Sequence, residues 1–344
     1  MKQKRKELQH YVKKKKLHCA LFFNLSMNID PNFFYLTHYD GYGCLILLKD
    51  REILLVPEME LQRARRTVKG VQVKVYRKNF WEVLRKYIKG KYIGLDFNAI
   101  TLSMIKSLRK EIKGKRFVDV SALVRNIRSV KTKKEIGILR KACSKCFRNF
   151  RNFDTEKDVS GFLYIETIRD GCELSFPPIV ASGSGSAEPH HTPKDYKLKK
   201  GFCIIDFGVK YQGYCSDTTR TVYIGKPSEK DKEIYQFMLT AQDNMIRSIK
   251  PGQRCTRAYD HSLKELGQYA KNFTHGLGHG VGVEIHELPD LRMKSKSRIE
   301  EGAVFTVEPG IYFYNRFGIR IEDTVLMEKR PVLLTRISKK LRIF

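Results

Sequence analysis

Two acidic residues near a tight turn suggest a site that does chemistry. Within residues 202–225, an apolar strand ends at Asp206, and the chain returns after the turn through Asp217. A turn tip at residues 211–212 predicts that Asp206 pairs with Asp217, with their Cβ atoms about 5 Å apart. Like charges behind an apolar strand require a shared proton, an arginine or a metal to compensate them. We therefore interpret the pair as functional, although one such Asp alone would suit an ordinary turn.

The same arrangement recurs nearer the end of the chain. An apolar strand ends at Glu308, where Pro309 and Gly310 stop regular pairing. A return strand carries Glu322, and a loop centred near Asn315 predicts that Glu308 pairs with Glu322. Two hairpins that each bring two carboxylates together are difficult to explain by packing alone.

Three histidines lie in a stretch where glycine occupies every second place. The stretch 275–291 reads HGLGHGVGVEIHELPDL and contains His275, His279 and His286. The first two have the i, i+4 spacing of a zinc-binding helix, but each of the four glycines would cost a helix about 1 kcal/mol. We therefore predict an extended segment whose glycines let the backbone pass close to buried groups. The imidazoles could then converge on the carboxylates, whereas a single histidine would more often be packed or solvated.

Charge balance indicates what this set of residues could hold. The four carboxylates total −4, which two divalent cations would neutralise. A carboxylate-rich set with one imidazole suits Mn(II), Fe(II), Co(II) or Zn(II). Such ions, about 3.5 Å apart, activate a water and polarise a carbonyl or phosphoryl oxygen. The residues thus predict a two-metal hydrolase, and their spacing does not choose between peptide and phosphoester bonds.

The elements that must position these residues fall into two predicted domains. Residues 1–127 predict a small α/β domain. Five apolar runs typical of strands (CALFF, GCLILL, EILLV, YIGLDF and FVDV) alternate there with charged stretches, of which RKNFWEVLRKYI and ITLSMIKSLRKEI have helical periodicity. Residues 128–344 carry every chemical constellation, and a helix followed by paired strands occurs twice there, which suggests an internal duplication. In this part we predict helices at 133–152, 156–170, 229–248 and 255–271 and strands at 202–208, 214–224, 303–308 and 318–327.

Composition narrows the class of protein. The chain has 344 residues and a net charge of +29, and it contains no apolar run of the roughly 18 residues that a membrane span needs. The apolar run at 19–25 follows a basic N-terminus but lacks a cleavage site, so we predict a core strand and a cytoplasmic protein. Eight cysteines without framework spacing indicate free buried thiols, including Cys143 and Cys146. The basic residues are scattered, which does not favour specific nucleic-acid binding.

Several segments together resemble one protein family. IIDFGVKYQGYCSDTTRT, HGLGHGVGVEIHELP, VFTVEPGIY and GIRIEDTV occur in the order and approximate spacing of the pita-bread metallopeptidases. SGSGSAEPHHTP (182–193) and PNFFYLTHYDGYG (31–43) resemble the Xaa-Pro aminopeptidase and Xaa-Pro dipeptidase (prolidase) branch. The resemblance implies an α+β protein: a C-terminal pita-bread (creatinase/aminopeptidase) fold with duplicated helix–β-hairpin halves follows a smaller α/β creatinase-type domain.

The resemblance also implies a ligand set and a cofactor. It implies two divalent metal ions, with Mn favoured over Co, Zn or Fe. In the family pattern one ligand chelates the first ion, two hold the second and two bridge the pair. Carried over to this chain, the resemblance implies that Asp206 holds the first ion and that His279 and Glu308 hold the second. It implies that Asp217 and Glu322 bridge the two ions.

Further residues match positions with other roles in the family. Glu308 is expected to accept the proton of the attacking water, and His286 to donate to the scissile carbonyl or the oxyanion. His190 is expected to bind substrate and move protons, His275 to lie in the substrate-binding wall, and Arg320 to steady the ligands.

His191 and two departures qualify the match. For His191, a solvent-facing position is an equal alternative to a place in the site. Gly185 stands where the branch often has Asn, and His38 where it often has Gly. Neither departure removes a ligand, so they bear on substrate preference more than on the metal site.

The implied activity is hydrolysis of the bond between an N-terminal residue and proline, in dipeptides or longer peptides. One alternative is a methionine-aminopeptidase-like or other N-terminal exopeptidase that uses the same site. A more distant alternative is a non-catalytic pita-bread protein that binds nucleic acid through its positive charge. The N-terminal domain implies a homodimer, in which it would serve oligomerisation or substrate gating.

Overall fold

The computed structural model describes residues 2–26, 29–145 and 153–344. The chain divides into two compact units, Met1–Ile127 and Arg128–Phe344. Each unit has its own apolar core.

The first unit is an α/β fold on a six-stranded sheet with the order β4-β3-β2-β1-β5-β6. Strands β1 to β3 pair antiparallel, and the outer strands on both sides pair parallel. The strands are β1 (Cys19–Asn24), β2 (Gly43–Leu48), β3 (Glu52–Pro57), β4 (Gln72–Tyr76), β5 (Tyr92–Leu95) and β6 (Arg116–Asp119). The helices are α1 (Lys2–Lys14), α2 (Pro31–Thr37), α3 (Leu61–Thr67), α4 (Phe80–Tyr87), α5 (Leu102–Glu111) and α6 (Ser121–Ser129).

Local capping explains where the two predicted helices of this unit begin. Asn79 accepts a hydrogen bond from the Glu82 N–H at the start of α4, and Thr101 accepts one from the Met104 N–H at the start of α5. Such caps satisfy N–H groups that the first helical turn leaves unpaired. The sequence analysis missed strand β4, whose side chains are only partly buried and lack an apolar run.

The second unit contains the remaining helices and a set of short, mostly antiparallel strands. Its helices are α7 (Lys133–Ser144), α8 (Glu156–Arg169), α9 (Glu229–Ser248) and α10 (Cys255–Leu266). Its strands are β7 (Glu173–Leu174), β8 (Ile179–Ser182), β9 (Gly201–Phe207), β10 (Val209–Tyr211), β11 (Tyr214–Cys215), β12 (Thr218–Ile224), β13 (Gln253–Arg254), β14 (Gly278–Gly280), β15 (Glu287–Leu291), β16 (Arg298–Ile299), β17 (Val304–Val307), β18 (Gly310–Phe313), β19 (Phe317–Arg320), β20 (Asp323–Met327) and β21 (Pro331–Leu333). The end of the predicted helix 133–152, with Cys146, lies outside the described residues.

Capping boxes and apolar faces explain the long helices of this unit. In each box a hydroxyl and a carboxylate three residues later bind each other's backbone N–H. The boxes are Thr132 with Glu135, Thr155 with Asp158 and Ser228 with Asp231. The buried face of α9 then joins the core that also includes strands β17 and β20.

Two sheets carry the predicted site. The first has the order β12-β9-β8, and the second has the order β15-β14-β17-β20-β21. In the second sheet, β17 and β20 pair Val307 with Asp323. In a separate two-stranded sheet, β18 and β19 pair Gly310 with Arg320. By this count Glu308 stands opposite Glu322, as the sequence analysis predicted.

The first hairpin differs from the predicted register by two residues. Lys210 pairs with Cys215, and Asp206 pairs with Thr219 rather than with Asp217. The turn tip is Gln212-Gly213, and both residues have positive φ (50° and 79°). This is the backbone that two-residue hairpin turns require. Asp217 lies two residues from the partner of Asp206, so it remains on the same face.

Two further properties agree with the composition. The cysteines that the structure describes are buried thiols outside disulfide bonds: Cys19, Cys44, Cys143, Cys172, Cys203, Cys215 and Cys255. In the described parts of the chain, no helix combines the length and apolarity needed to cross a bilayer.

Candidate metal site

The site lies where the hairpins and the glycine-rich segment meet. Potential ligand atoms of Asp217, His279 and Glu322 all lie within 4.8 Å of one another. The Nε2 atom of His279 is 3.5 Å from an oxygen of Asp217 and 3.4 Å from an oxygen of Glu308. Asp206 is close enough to act electrostatically on Asp217, so all five predicted ligands interact directly or through one another.

The orientation of His279 indicates a cation between it and the carboxylates. Its Nδ1 atom is 3.2 Å from the Gly280 carbonyl oxygen, which can only accept a hydrogen bond, so Nδ1 carries the proton of the neutral ring. Burial lowers the pKa of His279, which favours that neutral ring. The lone pair of Nε2 then faces two carboxylates. A metal ion or a proton is needed to make this arrangement favourable.

Three buried carboxylate oxygens without hydrogen-bond partners test whether the site fits a metal. They are Oδ1 of Asp206, Oδ1 of Asp217 and Oε1 of Glu322. A buried polar atom without a partner carries a substantial energetic cost, and several in one site indicate that the site binds a ligand. Carboxylates with one imidazole form the mixed oxygen and nitrogen donor set that divalent first-row metals accept. The residues therefore fit a divalent metal.

Burial and mutual repulsion raise the proton affinity of the carboxylates. Burial, with the charges of Glu322 and Asp206, raises the pKa of Asp217 well above its ordinary value. Burial, with the charges of Glu308 and Asp206, has the same effect on the pKa of Glu322. The pKa of Glu308 is also raised, mainly by burial. The metal-free protein therefore holds protons where cations would otherwise balance the charge.

These shifts predict how pH acts on the metal-free protein. Below the ordinary carboxylate pKa of about 4, both the folded and unfolded chains are protonated at these groups. Above it the unfolded chain releases protons that the folded site retains, so stability falls as pH rises toward the raised pKa values. We expect the melting temperature of chelator-treated protein to fall over this range, and to fall less steeply in Asp217→Asn. Calorimetry of both proteins would measure this, and parallel slopes would contradict it.

The glycines of the 275–291 stretch allow close backbone contacts. A Cβ on Gly278 would lie 2.0 Å from the Thr306 carbonyl oxygen, and one on Gly280 would lie 2.2 Å from the Leu288 carbonyl oxygen. No side chain fits at such distances, so both positions require glycine. Between them His279 donates its backbone N–H to the Thr306 hydroxyl at 3.0 Å. The glycines thus bring the imidazole-bearing strand against β17.

Arg320 is buried and compensates part of the negative charge. Its Nη2 atom donates to Asp206 at 2.7 Å, and its Nη1 atom donates to the Tyr312 hydroxyl at 2.8 Å. Although burial opposes its charge, Tyr312 and Asp206 keep the pKa of Arg320 above its ordinary value. Thr219 receives the Nε–H of Arg320 at 3.0 Å and donates its hydroxyl to Glu322 at 2.8 Å.

The other predicted histidines lie around the carboxylates in different environments. His275 lies 2.9 Å from the Tyr312 hydroxyl, and burial lowers its pKa. The ring of His286 lies edge-on to that of His279, with centroids 4.3 Å apart, and burial lowers the pKa of His286 as well. His190 is exposed and lies close enough to the rings of His275 and His286 to act on them electrostatically.

His191 is not solvent-facing, which resolves the alternative that its sequence left open. It is only 5% exposed. Its Nε2 atom lies 2.9 Å from Glu156, and its Nδ1 atom lies 3.1 Å from Glu188. Glu156 also accepts hydrogen bonds from the backbone N–H and the hydroxyl of Ser182. His191 thus anchors the segment that presents His190.

Sequence reasoning missed several residues that support the predicted ligands. Thr219 and Thr306 contact Glu322 and Glu308, and Tyr312 joins His275 to Arg320. Thr219 has the alternating spacing from Asp217 that places it on the same face of the hairpin, and this signal could have identified it. Tyr312 and Thr306 are uncharged, and no residue-type signal distinguishes them from core positions.

Comparison with known families agrees with this geometry. The profile described as metallopeptidase family M24 matches residues 131–329, and the profile described as creatinase/prolidase N-terminal domain matches residues 4–130. The Xaa-Pro dipeptidase of Pyrococcus furiosus is 34% identical over 314 residues, which cover 88% of this chain and 89% of that protein.

Solved structures give the same result for the whole chain. The prolidase from Pyrococcus horikoshii OT3 superposes with a TM-score of 0.90 at 31% identity, covering 98% of this chain and 99% of that one. The X-Pro aminopeptidase from Thermotoga maritima MSB8 superposes with a TM-score of 0.89 at 29% identity, covering 95% of this chain and 97% of that one.

Proposed function

The chain belongs to metallopeptidase family M24, and we propose that it hydrolyses the bond between an N-terminal residue and proline. Membership confirms the predicted metallopeptidase class. It also confirms the α+β fold class, in which a pita-bread domain follows a creatinase-type N-terminal domain. The relatives named as acting on Xaa-Pro bonds support this choice of substrate.

The observation that carries the proposal is the set of unpartnered oxygens beside His279. Asp206, Asp217 and Glu322 each have one buried oxygen without a hydrogen-bond partner. Ligand atoms of Asp217, Glu322 and His279 lie within 4.8 Å of one another, and the charge of Asp206 acts on both Asp217 and Glu322. We propose these residues and Glu308 as the ligands of two divalent ions, with Mn favoured. When bound, the ions would activate a water and polarise the scissile carbonyl.

The residues of the chain would supply proton transfer and orientation. Glu308, whose pKa is raised by burial, is suited to accept the proton of the attacking water. Partial burial and the neighbouring His279 lower the pKa of His286, which favours its neutral ring, and the N–H of that ring can donate to the carbonyl oxygen as negative charge develops there. His190 is exposed near the rings of His275 and His286, and it is suited to contact the substrate on the side of the leaving proline. Arg320 would orient Asp206 through its hydrogen bond to that carboxylate. His275, which lies beside Tyr312, would form part of the wall of the substrate-binding site.

Proline explains why a dedicated enzyme is needed. Its nitrogen carries no N–H, and its fixed φ resists the extended binding that most proteases use. As in the hydrolysis of any amide, the leaving nitrogen must also receive a proton. We also propose a homodimer and a cytoplasmic location. Size-exclusion chromatography with light scattering and cell fractionation would test these two assignments.

The substrate assignment predicts a preference that can be measured. After chelation and restoration with Mn(II), Co(II) or Zn(II) in turn, we expect release from Ala-Pro at least about tenfold faster than from Ala-Ala. A pocket shaped for one side chain contributes discrimination of this size. Ala-Pro-Ala, assayed in parallel, distinguishes a dipeptidase from an aminopeptidase. Cleavage of Met-Ala peptides alone would overturn the assignment.

A further inference from the structure

A second buried charge cluster lies beside the loop that carries His286. We define the anchor cluster as Arg128, Lys131, Glu284 and Glu287. Arg128 donates from Nη2 to Glu287 and to Glu284, each at 2.5 Å, and Lys131 donates to Glu287 at 3.2 Å. Arg128, Lys131 and Glu287 are 2%, 5% and 7% exposed. None of the four was assigned a role above.

The Glu287 carboxylate is the centre of this cluster. Besides the two cations, it accepts the backbone N–H of Glu284 at 3.0 Å. A Cβ on Gly282 would lie 2.4 Å from it, so the absence of a side chain there makes room for the carboxylate. Burial alone would raise the pKa of Glu287, but Lys131 and Arg128 hold it below its ordinary value, so the group is ionised. One charged group thus closes the loop 282–287 on itself and fixes it to residues 128–131.

The loop is also tied to the hairpin that carries Asp217. The Cys215 backbone N–H donates to the Gly282 carbonyl oxygen at 2.7 Å. His286 directly precedes Glu287 in this anchored loop, and its side chain is exposed whereas that of Glu287 is buried. A shift of the Glu287 carboxylate would therefore move the backbone that carries the His286 imidazole. A displacement of about 1 Å at a catalytic group can cost about a hundredfold in rate.

We propose that Glu287, held by Arg128 and Lys131, is a positioning residue that sets the place of His286 in the reaction. The inference rests on the proposed role of His286. Glu287 does not touch the carboxylates of the metal site, so its effect passes through the loop. Because both cations are buried, removing the carboxylate also leaves charge uncompensated. The tests therefore have to separate position from stability.

A double-mutant cycle separates these effects. We expect Glu287→Gln to lower kcat for Ala-Pro about a hundredfold while KM changes less than about threefold. In the His286→Ala background, the same change is expected to lower kcat no more than about twofold, because the group it positions is gone. An equal loss in both backgrounds would overturn the proposal.

Two variants control for charge and stability. Glu287→Gln with Lys131→Met leaves Arg128 and Glu284 as a balanced pair, so we expect stability to recover while kcat stays low. Full recovery of kcat would show that charge balance alone matters and would overturn the proposal. Glu52→Gln breaks the buried ion pair with Arg5 in the first unit, so we expect lower stability with unchanged kcat.

A metal-independent measurement distinguishes failure of this proposal from failure of the proposed function. In chelator-treated protein, we expect amides of residues 281–290 to exchange at least about tenfold faster in Glu287→Gln than in wild type, because the loop loses its anchor. Glu52→Gln should leave them unchanged. Wild-type exchange in Glu287→Gln would overturn the positioning role. Absence of Ala-Pro hydrolysis by wild type with every metal would overturn only the proposed function.

Discussion

Asp217→Asn is expected to lower kcat/KM for Ala-Pro by at least about a thousandfold, because groups that only support metal ligands already contribute about 10- to 100-fold. The side chain keeps its size and loses its charge. The backbone contacts of residue 217 do not depend on the carboxylate, since Thr218 and Thr324 donate to its carbonyl oxygen. The variant should therefore fold and bind fewer ions per chain. Elemental analysis and steady-state kinetics would measure both effects.

The same variant is expected to stabilise the metal-free protein at neutral pH. Asp217 lies buried among Glu322, Asp206 and Glu308, and burial with their charges raises its pKa, so the folded metal-free protein must take up a proton there at neutral pH. An amide is neutral without that proton. Asp195→Asn makes the same chemical change at a carboxylate that is 73% exposed and should leave activity and stability unchanged. Asp217→Asn with wild-type metal content and rate would show that this carboxylate is not a ligand.

Local pattern predicted most elements because it reflects forces within a few residues. Apolar runs predicted five strands of the first unit, and α8 and α9 were predicted within one residue of their observed ends. The positions of the four carboxylates in the hairpins of the second unit also followed directly from the sequence. The second hairpin was predicted in register because its loop is symmetric about Asn315.

The first hairpin was placed two residues out because its turn depends on backbone geometry. Gln212 adopts positive φ beside Gly213, and a glutamine gives no strong signal for that conformation. Gly208 adds a second constraint, because a Cβ there would lie 1.9 Å from the Ser216 carbonyl oxygen. The two arms of the hairpin approach each other closely at this point. Only the three-dimensional contact reveals why this position requires glycine.

The least predictable features are the contacts between residues far apart in sequence. His191 is buried against Glu156, which lies 35 residues earlier in the sequence and forms a hydrogen bond with the Nε2 atom of the ring. Glu287 meets Arg128 across 159 residues. Neither partner has a sequence signal that names the other, since charged residues of both signs occur throughout the chain. Local patterns therefore identified the residues that we propose as metal ligands, but not the residues that hold their surroundings in place.

The glycine-rich segment leads to the second large expected effect. Gly278→Ala is expected to destabilise the protein by about 3 kcal/mol, since overpacking costs about 1–3 kcal/mol and the upper end applies where the backbone itself must move. The new Cβ would meet the Thr306 carbonyl oxygen at 2.0 Å and its carbon at 2.7 Å, so strands β14 and β17 would have to separate. Because His279 follows directly, metal binding should be lost with the strand contact.

Gly276→Ala is the matched control within the same stretch. Its Cβ would meet the Leu291 carbonyl oxygen at 3.3 Å and the Arg292 Cβ at 3.4 Å, contacts that a small shift can relieve. We expect it to cost less than about 1 kcal/mol, because alanine also restricts the unfolded chain. Thermal unfolding and metal content of both variants would decide the matter. Equal stability and metal content in the two would mean that the close approach at Gly278 does not hold His279 in the site.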